Sequence, residues 1–335
     1  MSRVGIIANP ASGKDIRRLV ARASVFDNNE KINILQRILL ALDAAQVDDV
    51  LIMPEYYGMG ERAIDGVHLA HTRAGVLEME VKAKDTDSTV AARRLAEWEA
   101  GALLVLGGDG TNRMVAMGSG AVPLVPVSTG TNNVFPTMVE GTVAGLAAAL
   151  LARGEVDVEA VSYQAKRLEV CLDGVVKETA LVDVVTSREL FIGTRAIWDP
   201  RQILDIVLAR SEPGGIGLSA VGSCLQAVSS RDPHGMCLRL GEGGLHVLAP
   251  MGPGLVTSVP IREHHLLPLG AEVSVSPETK TIALDGERSM EIYGQPAVTV
   301  RLTAAGPRVV DIPRCMAQAT QRAVFQRLGE LSQRK

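Results

Sequence analysis

The chain has 335 residues, 47% hydrophobic and 21% charged, a balance that belongs to a folded globular protein and excludes a disordered one. A net charge of −4, no sustained basic block and only 3% aromatic residues argue against a nucleic-acid surface or a stacking platform for single strands. No apolar run approaches the ~18 residues of a membrane helix, and "MSRVGIIANP" is broken too early by Pro10 to serve as a signal peptide, so a cytoplasmic protein is expected. Near the start, "RVGIIANP" reads as a strand ending in a turn at Asn9-Pro10, and "NEKINILQRILLALDAAQ", with apolar spacings of three and four, predicts a helix. "DVLIMPE" reads as a second strand and the alternating "VLEMEVKAK" as a third. "DTDSTVAARRLAEWEA" opens on an Asp/Ser/Thr cap and predicts a helix. "ALLVLGGDGT" is a strand and turn, with Thr111 or Asn112 predicted to cap a helix starting "RMVAMG". "AVPLVPVSTGTNN" is a further strand that closes in a polar, Gly-rich loop, and "VAGLAAALLARG" a small-residue helix closed by Gly154. Strands alternating with helices imply a parallel sheet covered by helices.

The pattern changes after Gly154. Short alternating strands and turn pairs such as Asp173-Gly174 run through "GGLHVLAPMGPG", "AEVSVSPETKTIALDGERSMEI" and "PAVTVRLT". The expected organisation is a Rossmann-like parallel-sheet domain at 1–154 and an antiparallel, sandwich-like β domain at 155–312. An amphipathic helix at 313–335 is expected to pack back on the first domain. Four cysteines, Cys171, Cys224, Cys237 and Cys315, lie far apart with no CxxC pair, which indicates reduced thiols rather than a zinc site or a disulfide framework.

Three Gly-rich turns fall at predicted strand ends in the first domain. "ANPASGKD" imitates a P-loop, but has Ala8 in place of the first glycine and Asp15 where a Mg-binding hydroxyl belongs. Its Ser12-Gly13 backbone and Lys14 are still suited to a phosphate at a helix N-terminus, while Lys14 reads equally as a surface lysine. "GGDGT" places Asp109 in a bare turn, where a carboxylate has to hold a cation or take a proton to sit beside phosphate. "STGTNN" adds hydroxyl and amide donors on a glycine hinge. Side by side, three such loops line one edge of a sheet, where open α/β folds bind ligands. His68 and His71 lack a third ligand and read as exposed histidines. His264-His265 reads as surface, and "RDPHG" as a turn that can lie near the acceptor. Tyr56-Tyr57 is placed either to stack on a base or to pack a loop.

"NPASGK", "GGDGT" and "PLVPVSTGTNN", with "GGLHVLAPMGPGLVTSVPI" and "IALDGERSMEI" in the β half, resemble the NAD kinase and diacylglycerol kinase superfamily along nearly the whole chain. "TGTNNVFP" and "LFIGTRAIWDP" most resemble the acetoin-catabolism protein X branch of ATP-NAD-kinase-like proteins. The resemblance implies ATP and Mg²⁺, with phosphoryl transfer to a hydroxyl of a small acceptor, NAD the first candidate. It implies Asp109 as general base or metal-linked carboxylate, Glu287 as a second catalytic carboxylate and Asp285 as a metal ligand. Nucleotide contacts are implied for Asn9, Ser12, Gly13, Lys14, Gly107, Gly108, Gly110, Thr111, Thr129, Gly130, Thr131 and Asn132, and a homo-oligomer is a family expectation. Asp285-Gly286 reads equally as a plain hairpin turn. The chain departs from NAD kinases where it carries Val182-Asp183 in place of an Asn-Glu pair, and "EPGGIGLSA" in place of a GTDGST-like turn. These departures keep open a non-catalytic nucleotide sensor with the same fold, and a lipid-type kinase is a further alternative. An NAD(P)-dependent oxidoreductase ranks last, because "GIIANPASG" supplies no GxGxxG turn.

Overall fold

The computed structural model describes residues 1–13, 27–130, 132–189, 200–286 and 288–333. The first half alternates strands and helices: β1 (Arg3–Ala8), α1 (Asn28–Ala44), β2 (Asp49–Ile52), α2 (Met59–Asp65), β3 (Arg73–Val76) and α3 (Thr86–Glu97). It continues with β4 (Ala102–Gly107), α4 (Asp109–Ala116), β5 (Leu124–Ser128), α5 (Gly141–Ala152), α6 (Val158–Val161) and β6 (Ser162–Gln164). Then come β7 (Arg167–Leu172), β8 (Val175–Ala180), β9 (Asp183–Ser187), β10 (Ile203–Leu208), α7 (Leu218–Ser223), β11 (His234–Gly252) and β12 (Leu255–Pro268). The remaining elements are β13 (Glu272–Ser274), β14 (Thr281–Leu284), β15 (Arg288–Glu291), β16 (Val298–Thr303), β17 (Arg308–Val310), α8 (Ile312–Gln321) and α9 (Val324–Gln333).

The first domain is a sheet in the order β3-β2-β1-β4-β5-β17-β6. Its strands are parallel from β3 to β17, and β6 alone runs antiparallel. Because side chains alternate across a strand, fully buried β4 feeds two cores at once. Leu104 and Leu106 join the core that contains α1, α5 and α8, and Leu103 and Val105 join the core that contains α3. Helices α1 and α5 approach closely because Gly141 and Gly145 face Ile34, Ile38 and Ala41; a Cβ on Gly145 would lie 2.9 Å from the Ala41 Cβ. The second domain packs two antiparallel sheets, β12-β11-β10-β9-β14-β15 and β13-β16-β7-β8. Leu168, Val184, Val207, Ile282 and Val300 fill the space between them, while Val185 and Ile206 point to a second core closed by α7.

The structure departs from the sequence expectations in local ways. The third strand lies at Arg73–Val76, the residues in register with β2; Leu77 N–H still donates to the Ile52 carbonyl, and among the described residues "EMEVKAK" beyond it pairs with no strand. Helix α4 begins at Asp109 with Gly108 in the cap position, rather than after a Thr111 or Asn112 cap. The reason is Gly107: a Cβ there would stand 2.5 Å from the Thr111 Cβ, so its absence lets the first helical turn fold directly onto the strand end. Strands β6 and β17, which fall in the 155–312 segment, pair into the first sheet. The C-terminal segment is two helices, and α8 packs on α5 through Cys315 and Ala319 in the first-domain core, as expected of a helix returning to that domain. Gly154, at φ +68, closes α5 as predicted. No helix among the described residues is long and apolar enough to cross a membrane.

Candidate functional site

The loops after β1, β4 and β5 leave three adjacent strands at the same edge of the parallel sheet. Side chains tie the three together. Asn9 Nδ2 donates to Thr111 Oγ1 at 2.8 Å, joining the first loop to the GGDGT turn. Ser12 Oγ and Thr129 Oγ1 share a hydrogen bond at 2.9 Å, joining the first loop to the STGTNN loop. Asp109 closes the set: its Oδ1 accepts the backbone N–H of Val134 at 3.0 Å and of Phe135 at 2.7 Å. The Asn9 carboxamide also folds its own turn by accepting the Ala11 N–H at 2.9 Å.

The glycines keep this junction bare. Gly13 takes a left-handed backbone at φ +70. A Cβ on Gly130 would come within 3.9 Å of the Gly13 Cα, so the two loops meet with no side chain from either glycine between them. Gly107 ends β4, Gly108 precedes α4 and Gly110 lies in its buried first turn. The N-terminus of this eight-residue helix offers backbone donors to an anion at the same edge. Thr111 and Thr129 are buried and spend their hydroxyls on the loop ties, and Asn132 is half-buried. Lys14, Thr131 and Glu287 lie outside the described residues.

Asp285 occupies a different setting from the one a metal ligand needs. Asp285 and Gly286, at φ +49 and +66, make the two-residue turn between β14 and β15. The carboxylate is fully buried and accepts backbone N–H groups of Leu181, Val182 and Asp183, with Val182 at 2.8 Å. Arg113 of α4 reaches across the domain boundary to within 3.7 Å of its Oδ2. Burial pushes the Asp285 carboxyl above its ordinary value, against the pull of Arg113 and the backbone amides. Three amides and a guanidinium surround this carboxylate with donors, which suits an anchor and does not suit a cation.

Two further residues shape the site and carry weak sequence signals. Lys31 has no exposed surface, and its ammonium donates to the backbone carbonyls of Asn9 at 2.9 Å, Pro10 at 3.2 Å and Ser12 at 2.7 Å. It thereby gathers the carbonyls of the first loop on the inner side. Its one signal is position, since Lys31 falls on the same face of α1 as Leu35, Ile38 and Leu42. Arg113 is likewise buried, and its only signal is a charge inside the apolar part of "GGDGTNRMVA". The histidines remain apart from the site: His68 is exposed, His71 lies 3.7 Å from Asp48, and His264 and His265 are exposed on β12. Among the described residues no group of three or more His, Cys, Asp or Glu side chains is arranged to hold a metal.

A glycine-bearing strand-to-helix junction on a parallel sheet, followed by an antiparallel sandwich, is a two-domain architecture, and the family match over its first domain makes it a kinase-fold protein of the NAD-kinase-like class. Residues 4–156 match the family model of the ATP-NAD kinase N-terminal domain, and residues 166–305 that of the acetoin catabolism protein X C-terminal domain. The chain is 37% identical to acetoin catabolism protein X of Cupriavidus necator, over 98% of its own length and 95% of that protein's. It belongs to the acetoin catabolism protein X family.

Proposed function

We propose that the protein is an ATP-dependent phosphotransferase acting on a hydroxyl of a small acceptor, with NAD the first acceptor to test. The convergence of the three tied loops on Asp109 carries this reading. Phosphoryl transfer asks a protein chiefly for positioning and charge stabilisation, and the bare glycine junction beside the α4 N-terminus suits the phosphates of a nucleotide. Gly13, Gly107, Gly108, Gly110 and Gly130 let the phosphates approach the backbone, while Asn9, Ser12, Thr111 and Thr129 hold the loops in register. Asn132 and the Lys14 and Thr131 positions complete the nucleotide contacts. Asp109, held in orientation by two backbone amides, takes the proton of the acceptor hydroxyl. Glu287 is retained as a second carboxylate from the other domain.

Mg²⁺ neutralises phosphate charge in such reactions and is commonly bound by one or two carboxylates plus the phosphates themselves. Asp109 fits that modest requirement, whereas Asp285, enclosed by N–H donors and Arg113, does not. As the alternative to its role as base, Asp109 would hold the ion together with the phosphates of the nucleotide, and the ion would supply charge neutralisation there. A cytoplasmic homo-oligomer is part of the proposal, supported by the exposed apolar side chains Leu245, Leu248 and Val256 on the β11–β12 hairpin.

A non-catalytic nucleotide sensor is the second reading. It is favoured by the engagement of Asp109 with the Val134 and Phe135 amides and by Val182-Asp183, where NAD kinases carry Asn-Glu. Incubation with Mg²⁺ and γ-labelled ATP against NAD, NADH, nucleosides, diacylglycerol and small polyols separates the two. Label on one acceptor establishes the transferase and names its substrate. Binding of ATP without label on any acceptor favours the sensor.

A further inference from the structure

Lys31 is the fourth residue of α1, where the helix dipole opposes a positive charge, and it has no exposed surface. The face it shares with Leu35, Ile38 and Leu42 is apolar, so the packing of α1 gives no reason for an ammonium there. The reason lies in the first loop. Lys31 Nζ donates to the carbonyls of Ser12 at 2.7 Å, Asn9 at 2.9 Å and Pro10 at 3.2 Å, and shares its donors with Asn28 Oδ1 at 3.2 Å.

In a trans peptide the C=O and the N–H point to opposite sides of the chain. Carbonyls drawn inward to Lys31 therefore turn the N–H groups that follow them outward. After Asn9 comes Pro10, which has no N–H to turn. After Pro10 comes Ala11, whose N–H is taken by Asn9 Oδ1 at 2.9 Å. After Ser12 comes Gly13, and its N–H meets no acceptor among the described residues. This open donor follows the shortest of the Lys31 contacts. Ser12 Oγ, bonded to the Asn9 carbonyl at 2.7 Å and to Thr129 Oγ1 at 2.9 Å, keeps the loop from rolling. Gly13 has a left-handed backbone, and a Cβ on Gly130 would lie 3.9 Å from its Cα, so no side chain of either glycine screens the spot.

We propose that Lys31 is a positioning residue for phosphate: from behind the first loop it aims the Gly13 N–H at a phosphate oxygen of the nucleotide and sets a positive charge beneath it, without touching the ligand. The proposal rests on nucleotide phosphates binding at the junction of the three loops, which the transferase and sensor readings share. Tripolyphosphate, which has the phosphates and no base, is the probe. Titrated into the full-length wild type, it should bind saturably by calorimetry. The Gly13 amide resonance should move with the same midpoint, and its hydrogen exchange should slow. In Lys31→Met the affinity for tripolyphosphate should fall about ten- to a hundredfold and the Gly13 response should be lost, with partial recovery of both in Lys31→Arg. A lysine that only stabilised α1 would leave the Gly13 response of a folded variant unchanged. The wild-type amide measurement needs no variant to fold. A Gly13 amide unmoved at saturating tripolyphosphate overturns the proposal, as does unchanged affinity in a folded Lys31→Met protein. Label transfer from ATP with an unmoved Gly13 amide would leave the transferase standing and remove this role of Lys31. A responsive Gly13 amide with no acceptor labelled would do the opposite, and no binding of either tripolyphosphate or ATP would remove both.

Discussion

Lys31 carries a charge into a position with no exposure because three backbone carbonyls of the first loop replace its water. An unmet buried polar group costs about 1–3 kcal/mol, so Lys31→Met is expected to destabilise the chain by about 2 kcal/mol. It should also loosen the Asn9–Ser12 turn. Urea unfolding reads the first effect, and amide hydrogen exchange at Ala11 and Ser12 reads the second. Lys166 gives a pH signature. Burial pulls its folded pKa down to about 8, below lysine's ordinary value, so between the two an unfolded chain holds a proton that the folded chain has released. Stability therefore gains a contribution that rises with pH across that window, and Lys166→Met should flatten it. Denaturant midpoints at successive pH values, for the two proteins side by side, check the sign.

At the scale of elements, the contact that matters is between α4 and the β14–β15 hairpin. Arg113 and Asp285 are both buried and stand 3.7 Å apart, one from each domain. Removing one charge of such a pair leaves the other uncompensated, and Asp285→Asn is expected to cost about 3–5 kcal/mol. The double variant Arg113→Met with Asp285→Asn should cost less than the sum of the singles, as chemical denaturation of the four proteins would show. Gly107→Ala is expected to displace the first turn of α4, since its Cβ would meet Thr111 at 2.5 Å, and to cost about 1–3 kcal/mol in the same assay. These contacts were not legible in the chain. Alternation and apolar spacing reveal strands and helices one at a time, so α1, β4 and α5 were readable where they stand. Which buried charge meets which turn depends on long-range packing. Thus Asp285-Gly286 could be read as a turn, while its partnership with Arg113 could not. The cap of α4 was misread for a related reason: the sequence shows hydroxyl and amide cap residues, but not that a missing Cβ lets the helix start earlier.

For the whole molecule, the change of pattern after Gly154 was enough to expect a parallel domain followed by an antiparallel one. The return of β17 into the first sheet was not, because a three-residue strand carries almost no periodicity. The same asymmetry holds for the site. Three glycine loops could be assigned to one sheet edge from their positions after apolar runs. The neighbourhood of Lys166 and Arg210, 44 residues apart in sequence within the second domain, with Phe135 of the first domain against it, arises only from long-range packing. The central claim is that Asp109 performs chemistry at the junction of those loops. Its most direct test is the rate of label transfer from γ-labelled ATP, with Mg²⁺ and the acceptor found by screening, in the wild type and in Asp109→Asn. The asparagine keeps an oxygen to accept the Val134 and Phe135 amides, so folding should survive and be visible as a cooperative thermal transition. The account predicts a rate lower by about 10²–10⁴-fold in the variant. An unchanged rate in a folded Asp109→Asn protein would contradict it.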